Sequence, residues 1–216
     1  MASRPVYVPI EKVPFVRAYS PEFQWNGGFA VSQKQKNIVA LHGAHRRRFP
    51  ESKILEISSK SLQEEGIKLS AFHLPKYVPS LERSIPVECV FQGGKVFAGG
   101  GPYTDLYHVS PREAKKDPRL KSSGMLKKFF FEGQEMPLNP TTVFYDWIYI
   151  NALLENPVLA EEVLKYDAFT DIEFNPAKSS NCQAKAAALF VALSRQGKME
   201  TCREFSSFYR VLKGEC

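Results

Sequence analysis

The sequence predicts an α+β fold, a helix-rich single domain with a small β-sheet, and three observations lead there. Its 216 residues are 44% hydrophobic and 24% charged, enough for one substantial core and too few for two large domains. The last third is dominated by helix starts and helical apolar spacing. Strand-like runs are short and lie before it.

In chain order, prolines 5, 9, 14 and 21 break the opening into short apolar pieces that end at Gly27-Gly28, so residues 1–26 read as an extended wrap. The run S-Q-K-Q-K-N-I-V-A-L-H predicts a short helix with Ser32 as its N-cap and Gly43 as its stop. H-R-R-R-F-P then forms a basic loop tip, and K-I-L-E-I-S-S from Lys53 a strand. A second helix is predicted from near Pro86 through V-E-C-V-F-Q-G-G-K-V-F. Gly93 and Gly94 inside it each cost about 1 kcal/mol of propensity relative to Ala, so something other than local preference requires them. Ser110, Pro111 and Glu113 make a capping-box start, and K-K-F-F-F-E-G-Q reads as a buried strand leaving through Gly133.

Three helices should follow. The first is capped by Asn139, opens at Pro140 and has an apolar face of Val143, Phe144, Trp147 and Ile148. The second starts at Asn156-Pro157, packs Leu159, Val163 and Leu164, and pairs Glu161 with Lys165. The polar run F-T-D-I-E-F-N-P is a loop, after which Asn181 caps an alanine-rich helix stopped by Gly197. Residues 199–216 form a C-terminal helical tail.

A net charge of +6 fits a polyanionic partner such as nucleic acid or a nucleotide's phosphates, and equally a plain solvated basic surface. The four cysteines, Cys89, Cys182, Cys202 and Cys216, have no paired spacing, which argues against a disulfide framework or zinc site and for a reducing compartment. No run approaches the roughly 18 apolar residues of a membrane span, and the first residues do not resemble a signal peptide. The expected location is cytoplasmic, with no membrane association.

The most informative constellation is Glu88, Gln92 and Lys95, whose spacings of four and three place one polar stripe on an apolar helix. A solvated face is the competing reading. His42 and His45 stand i,i+3 with nothing nearby to complete a metal set, no serine or cysteine elbow or nucleotide-binding glycine loop occurs, and no cofactor is expected. The run Gly99–Tyr103 offers Gly100, Gly101 and Tyr103 to a diphosphate nest. Arg46, Arg47 and Arg48 are candidates for sequence-independent contacts with a nucleic-acid backbone.

V-E-C-V-F-Q-G-G-K resembles the NADAR pattern of a valine-glutamate pair followed by a glutamine and a lysine. L-S-A-F, R-E-A-K-K, E-N-P-V-L-A-E-E-V-L, D-I-E-F and N-C-Q-A are similar to further blocks of that family, in order, over roughly Gly27 to Leu193. The longer strings W-N-G-G-F-A-V-S-Q-K-Q-K, L-E-I-S-S-K-S, G-G-P-Y-T-D-L and Y-D-A-F-T-D-I-E-F-N-P resemble the branch found beside DarT-type DNA ADP-ribosyltransferase toxins. After Glu173 the chain departs from other NADAR proteins, lacking their aspartate-x-tryptophan-glycine block.

The resemblance implies a NADAR fold with residues 27–198 as the catalytic domain, and an antitoxin enzyme that hydrolyses the bond between ADP-ribose and the guanine amino group in DNA. Its partners would be ADP-ribosylated DNA, with the guanine single-stranded or flipped, and a DarT-type toxin; the chain would act as a monomer. Breaking this N-glycosidic bond builds positive charge at the anomeric carbon and requires a proton for the leaving amine. Glu88 is the leading acid/base, with Asp171 or Glu173 as the second carboxylate. Alternatively Lys95, Lys34 or Lys36 opens the sugar as a Schiff base. Lys34 and Lys36, two apart on a helix, should project differently, so that one of them enters the pocket. Ser70, Phe72, Gln92, Glu173 and Asn181 are the implied ligand-binding residues. An N-glycosidase for a free nucleotide or riboflavin-pathway intermediate, a toxin-sequestering protein without activity and a plain nucleic-acid-binding module are the alternatives.

Overall fold

The proline-broken opening of the chain becomes sheet. In the structure, a computed structural model that describes residues 1–215, β1 (Ala2–Ser3) pairs with β4 (Glu22–Phe23), and β2 (Val6–Pro9) pairs antiparallel with β3 (Val16–Tyr19). Helix and small sheets are mixed, as the sequence predicts, and the chain divides into two compact units. The first joins Met1–Ser70 to the chain from Pro157 onward, and the second is Ala71–Asn156. Cys216 lies outside the described residues.

The first helix is longer than predicted. α1 (Val31–Arg48) is capped at Ala30, holds Ser32 in its first turn and runs straight through Gly43. Burial of Ala44 and His45 beyond that glycine outweighs its propensity cost, and Arg46 to Arg48 complement the helix dipole in the last turn. Arg46, Arg47 and Arg48 are therefore an exposed helical turn, not a loop tip. β5 (Ile54–Glu56) and α2 (Glu64–Lys68) follow.

In the second unit, β6 (Pro75–Val78) and β7 (Arg83–Pro86) form an antiparallel pair that leads into α3 (Val87–Gly93). The predicted helix stops here, and its remainder is β8 (Lys95–Phe97). The two glycines explain the break. A Cβ on Gly93 would sit 2.4 Å from the Tyr107 ring, and one on Gly94 would sit 2.9 Å from the Phe130 carbonyl oxygen. α4 (Pro111–Lys116) has the predicted capping box, and α5 (Arg119–Ser122) precedes β9 (Leu126–Phe131) and β10 (Gln134–Met136), which build a sheet of order β10-β9-β8. α6 (Val143–Leu154) begins after Thr142 rather than at Asn139-Pro140. Val143 through Leu153 are all buried, so α6 is a central core helix rather than an amphipathic one. Phe144 stacks on Phe129 at 4.5 Å between centroids and also meets Phe91 and Phe131.

The chain returns to the first unit through α7 (Pro157–Val163), where Lys165 pairs with Glu162 at 2.6 Å instead of Glu161, and Leu164 is exposed. The run expected to be a polar loop begins as β11 (Ala168–Thr170), an inner strand of a sheet ordered β3-β2-β11-β5, antiparallel to β2 and parallel to β5. Its polarity misleads because Thr170 is buried in a bonded set. The Thr170 hydroxyl donates to Glu56 Oε2 at 2.6 Å, Ile172 N–H donates to Glu56 Oε1 at 2.8 Å, and His42 Nε2 lies 2.9 Å from Thr170 Oγ1. α8 (Gln183–Arg195) takes Cys182 rather than Asn181 as its cap, ends near Gly197 at φ +67 and packs alanines on β2 and β11. α9 (Phe205–Lys213) buries Phe208 and Val211. Among the described residues, no helix is long and apolar enough to cross a membrane.

Two stability predictions follow from this packing. Phe144→Ala should lower unfolding free energy by about 3–5 kcal/mol in a urea titration, since it empties the middle of an aromatic cluster. Burial, aided by Arg46 and His45, pushes the His42 ring from its ordinary 6.5 down to about 3. A His with a depressed folded value contributes stability above 6.5 that is lost as pH falls from there toward 3. His42→Gln should therefore flatten the decline in stability across that window, and equal slopes in the two proteins would refute the assignment.

Candidate active site

Pro86 ends β7, and the first turn of α3 is pinned by two backbone bonds: Val87 N–H donates to the Leu74 carbonyl at 3.0 Å, and Glu88 N–H to the Ala71 carbonyl at 2.9 Å. Glu88 is 5% exposed and Gln92 6%. Gln92 Nε2 donates to Glu88 Oε1 at 2.8 Å, and Lys95 Nζ donates to Gln92 Oε1 at 2.7 Å. The three residues do meet, although not as one helical face. Lys95 stands on β8, and the sharp exit through Gly93-Gly94 returns its side chain to Gln92.

Two aromatic rings and one further cation complete this cluster. Lys95 Nζ lies 4.6 Å from the Phe91 centroid, a favourable cation–π distance. Lys115 Nζ lies 3.7 Å from Glu88 Oε1 and 5.2 Å from the Phe72 centroid. Burial lowers the Lys95 ammonium to about 8; Glu88 opposes the shift and Lys115 adds to it. Gln92 thus holds a carboxylate as acceptor at one end and an amine as donor at the other, the polarity needed to move protons in opposite senses around one bond.

The glycine run lies against this cluster. Gly99, Gly100 and Tyr103 give their N–H groups to the carbonyls of Ser123, Phe97 and Gly93, so those donors are already used within the chain. A Cβ on Gly101, at φ +96, would sit 2.3 Å from the Lys95 carbonyl oxygen. The run packs on the backbone of Lys95 and fixes its position. Tyr103 bonds to the Ser123 hydroxyl and carries the Arg119 guanidinium 4.5 Å from its ring centroid.

The remaining predicted residues lie in the first unit, except Phe72. Lys34 pairs with Glu173 at 3.1 Å and lies 5.8 Å from the Trp25 ring, which also carries Arg4 at 5.1 Å. Lys36 is exposed, as spacing of two on a helix requires. Asp171 holds a turn: Oδ1 accepts from Glu173 N–H at 3.0 Å and Phe174 N–H at 3.2 Å, while Oδ2 accepts from Gln183 Nε2 at 3.0 Å. Ser70 donates its hydroxyl to the Ile67 carbonyl at 2.7 Å. Asn181 Oδ1 is buried without a partner. Arg48 lies over the Tyr19 and Phe49 rings, beside exposed Arg46 and Arg47.

Sequence reasoning missed Lys115. The capping box phases α4, but nothing local aims one of its lysines at a glutamate on another helix. As a check on Asp171, its replacement by Ala should cost about 1–3 kcal/mol in unfolding, because two backbone donors and Gln183 lose their acceptor. An unchanged unfolding midpoint would contradict the turn-holding role.

Among curated proteins none matches the chain. The family model described as DarT1-associated NADAR antitoxin matches residues 2–216, which include both units and the glutamate, glutamine and lysine of the cluster. The chain belongs to the family of DarT1-associated NADAR antitoxins.

Proposed function

We propose that this protein is an N-glycosidic hydrolase that removes ADP-ribose from guanine bases in DNA, acting as a monomeric antitoxin to a DarT-type toxin. The observation that carries the reading is the Glu88–Gln92–Lys95 relay, in which one buried amide side chain joins a buried carboxylate to a half-buried amine of lowered proton affinity. Membership of an antitoxin family named for DarT1, a net charge of +6 and the exposed turn Arg46–Arg48 support a nucleic-acid substrate. Guanine as the modified base rests on the resemblance to the DarT-associated branch.

In the proposed reaction the bond between the anomeric carbon and the guanine nitrogen breaks, and water attacks the carbon. Glu88 takes the proton of that water as its oxygen bonds to the carbon. Lys95, as ammonium, gives its proton to the leaving amine, and the products are free ADP-ribose and unmodified guanine. Return of the proton from Glu88 to Lys95 through solvent resets the site. Lys34, paired with Glu173, and Asp171, which holds its own turn, lie in the first unit and are given no step in this reaction.

The test is ADP-ribose release from a guanine-modified single-stranded oligonucleotide, with a thymidine-linked control. Glu88→Gln and Lys95→Ala should each lower release by about 10²–10⁴-fold, and kcat/KM should fall tenfold per pH unit above about 8 as Lys95 loses its proton. Rising activity through pH 8, with a borohydride-trapped adduct on Lys95, would make that lysine the nucleophile of a Schiff-base route. No release by the folded wild type would sink the reading in favour of toxin sequestration or a small nucleotide substrate.

A further inference from the structure

Lys115 plays no part in the reaction above, yet it touches the relay directly. Its place is set by packing rather than chance. The Ser110–Glu113 capping box phases α4, and Ala114, fully buried, lies on the helix that packs against α3. This brings Lys115 Nζ to 3.7 Å from Glu88 Oε1, the same oxygen that accepts from Gln92. The ammonium also lies 5.2 Å from the Phe72 centroid. A lone surface ion pair holds a lysine weakly, whereas here one partner is a buried carboxylate and the second an aromatic face.

We propose that Lys115 is a positioning residue of the relay: its half-exposed ammonium, seated over Phe72, holds the Glu88 carboxylate toward Gln92 and sets the charge facing Lys95. The inference rests on the hydrolase reading for its kinetic consequence, and on the contact of Lys115 with Glu88, together with the charge Lys115 adds around Lys95, for its effect on Lys95. Among the groups packed around Lys95, Glu88 favours the ammonium and Lys115 disfavours it. Lys128 on β9 pairs in register with Val96, so it points to the opposite sheet face from Lys95, and it is engaged by Glu135. Asp105 and Asp117 are both bound by Arg119. Removing the Lys115 charge should therefore raise the Lys95 midpoint.

The experiment compares wild type, Lys115→Met and Lys115→Arg in two readouts. Competitive amine labelling followed by mass spectrometry reads the titration of Lys95 without substrate, and the pH profile of ADP-ribose release reads it in turnover. In Lys115→Met both midpoints should move up by roughly half a pH unit at low salt, with kcat lowered; Lys115→Arg should restore them. High salt should move the wild type toward the Met variant, since the Lys115 charge is open to solvent.

An unmoved Lys95 midpoint overturns the inference. So does a rise in KM alone with an unchanged pH profile, which would make Lys115 a phosphate contact instead. If wild type releases no ADP-ribose while the labelling midpoint still shifts, the reaction fails and the positioning role stands. Because the Lys115 side chain is 57% exposed, the variant should keep the wild-type unfolding midpoint, separating a loss of fold from a loss of charge.

Discussion

Insertion of β11 between β2 and β5 is the pairing on which the first unit depends. Three residues, Ala168–Thr170, bond on one side to the start of the chain and on the other to Ile54–Glu56. This closes a sheet across more than a hundred residues of sequence and delivers Thr170 to Glu56 and His42. It also fixes where the chain turns at Asp171, and hence where Glu173 meets Lys34. The alanines of α8 permit close approach to that sheet, and the core beside α1 forms from Val6, Ile38, Leu41, Ile54 and Ala168.

The two units handle buried charge in different ways. Around Glu56, burial pushes the carboxyl up, while an amide and a hydroxyl satisfy both its oxygens. This network is closed, and it suits a structural role. Around Glu88 the chain of contacts runs from a buried carboxylate through Gln92 to a lysine of lowered proton affinity, and on its other side to a half-exposed ammonium. This chain reaches solvent at the Lys115 end, and the proposed reaction rests on it.

Precise backbone approach supports that chain. Gly93 and Gly94 let α3 end against Tyr107 and Phe130, and Gly101 lets its loop lie on the carbonyl of Lys95. Each glycine gives up local propensity and gains a close contact that a Cβ would forbid. The aromatic cluster around Phe144 holds α3 and β9 around the same point, since Phe91 and Phe129 both touch it.

The sequence by itself determined the mixed class, the capping box at Ser110, the strand after Lys53 and the grouping of Glu88 with Gln92, because each rests on residues a few positions apart. Its long strings also carried the family resemblance. Local signals failed where distant contacts decide. α1 passes Gly43 because residues beyond it are buried, and β11 is a strand because Glu56 supplies a partner for its polar Thr170. Tertiary structure alone ended α3 at Gly93 and put Lys95 on β8, used the amides of Gly99, Gly100 and Tyr103 within the chain and set Lys115 against Glu88. Those outcomes depend on which surfaces are buried together, and a buried charge takes its character from partners that only the folded chain brings near.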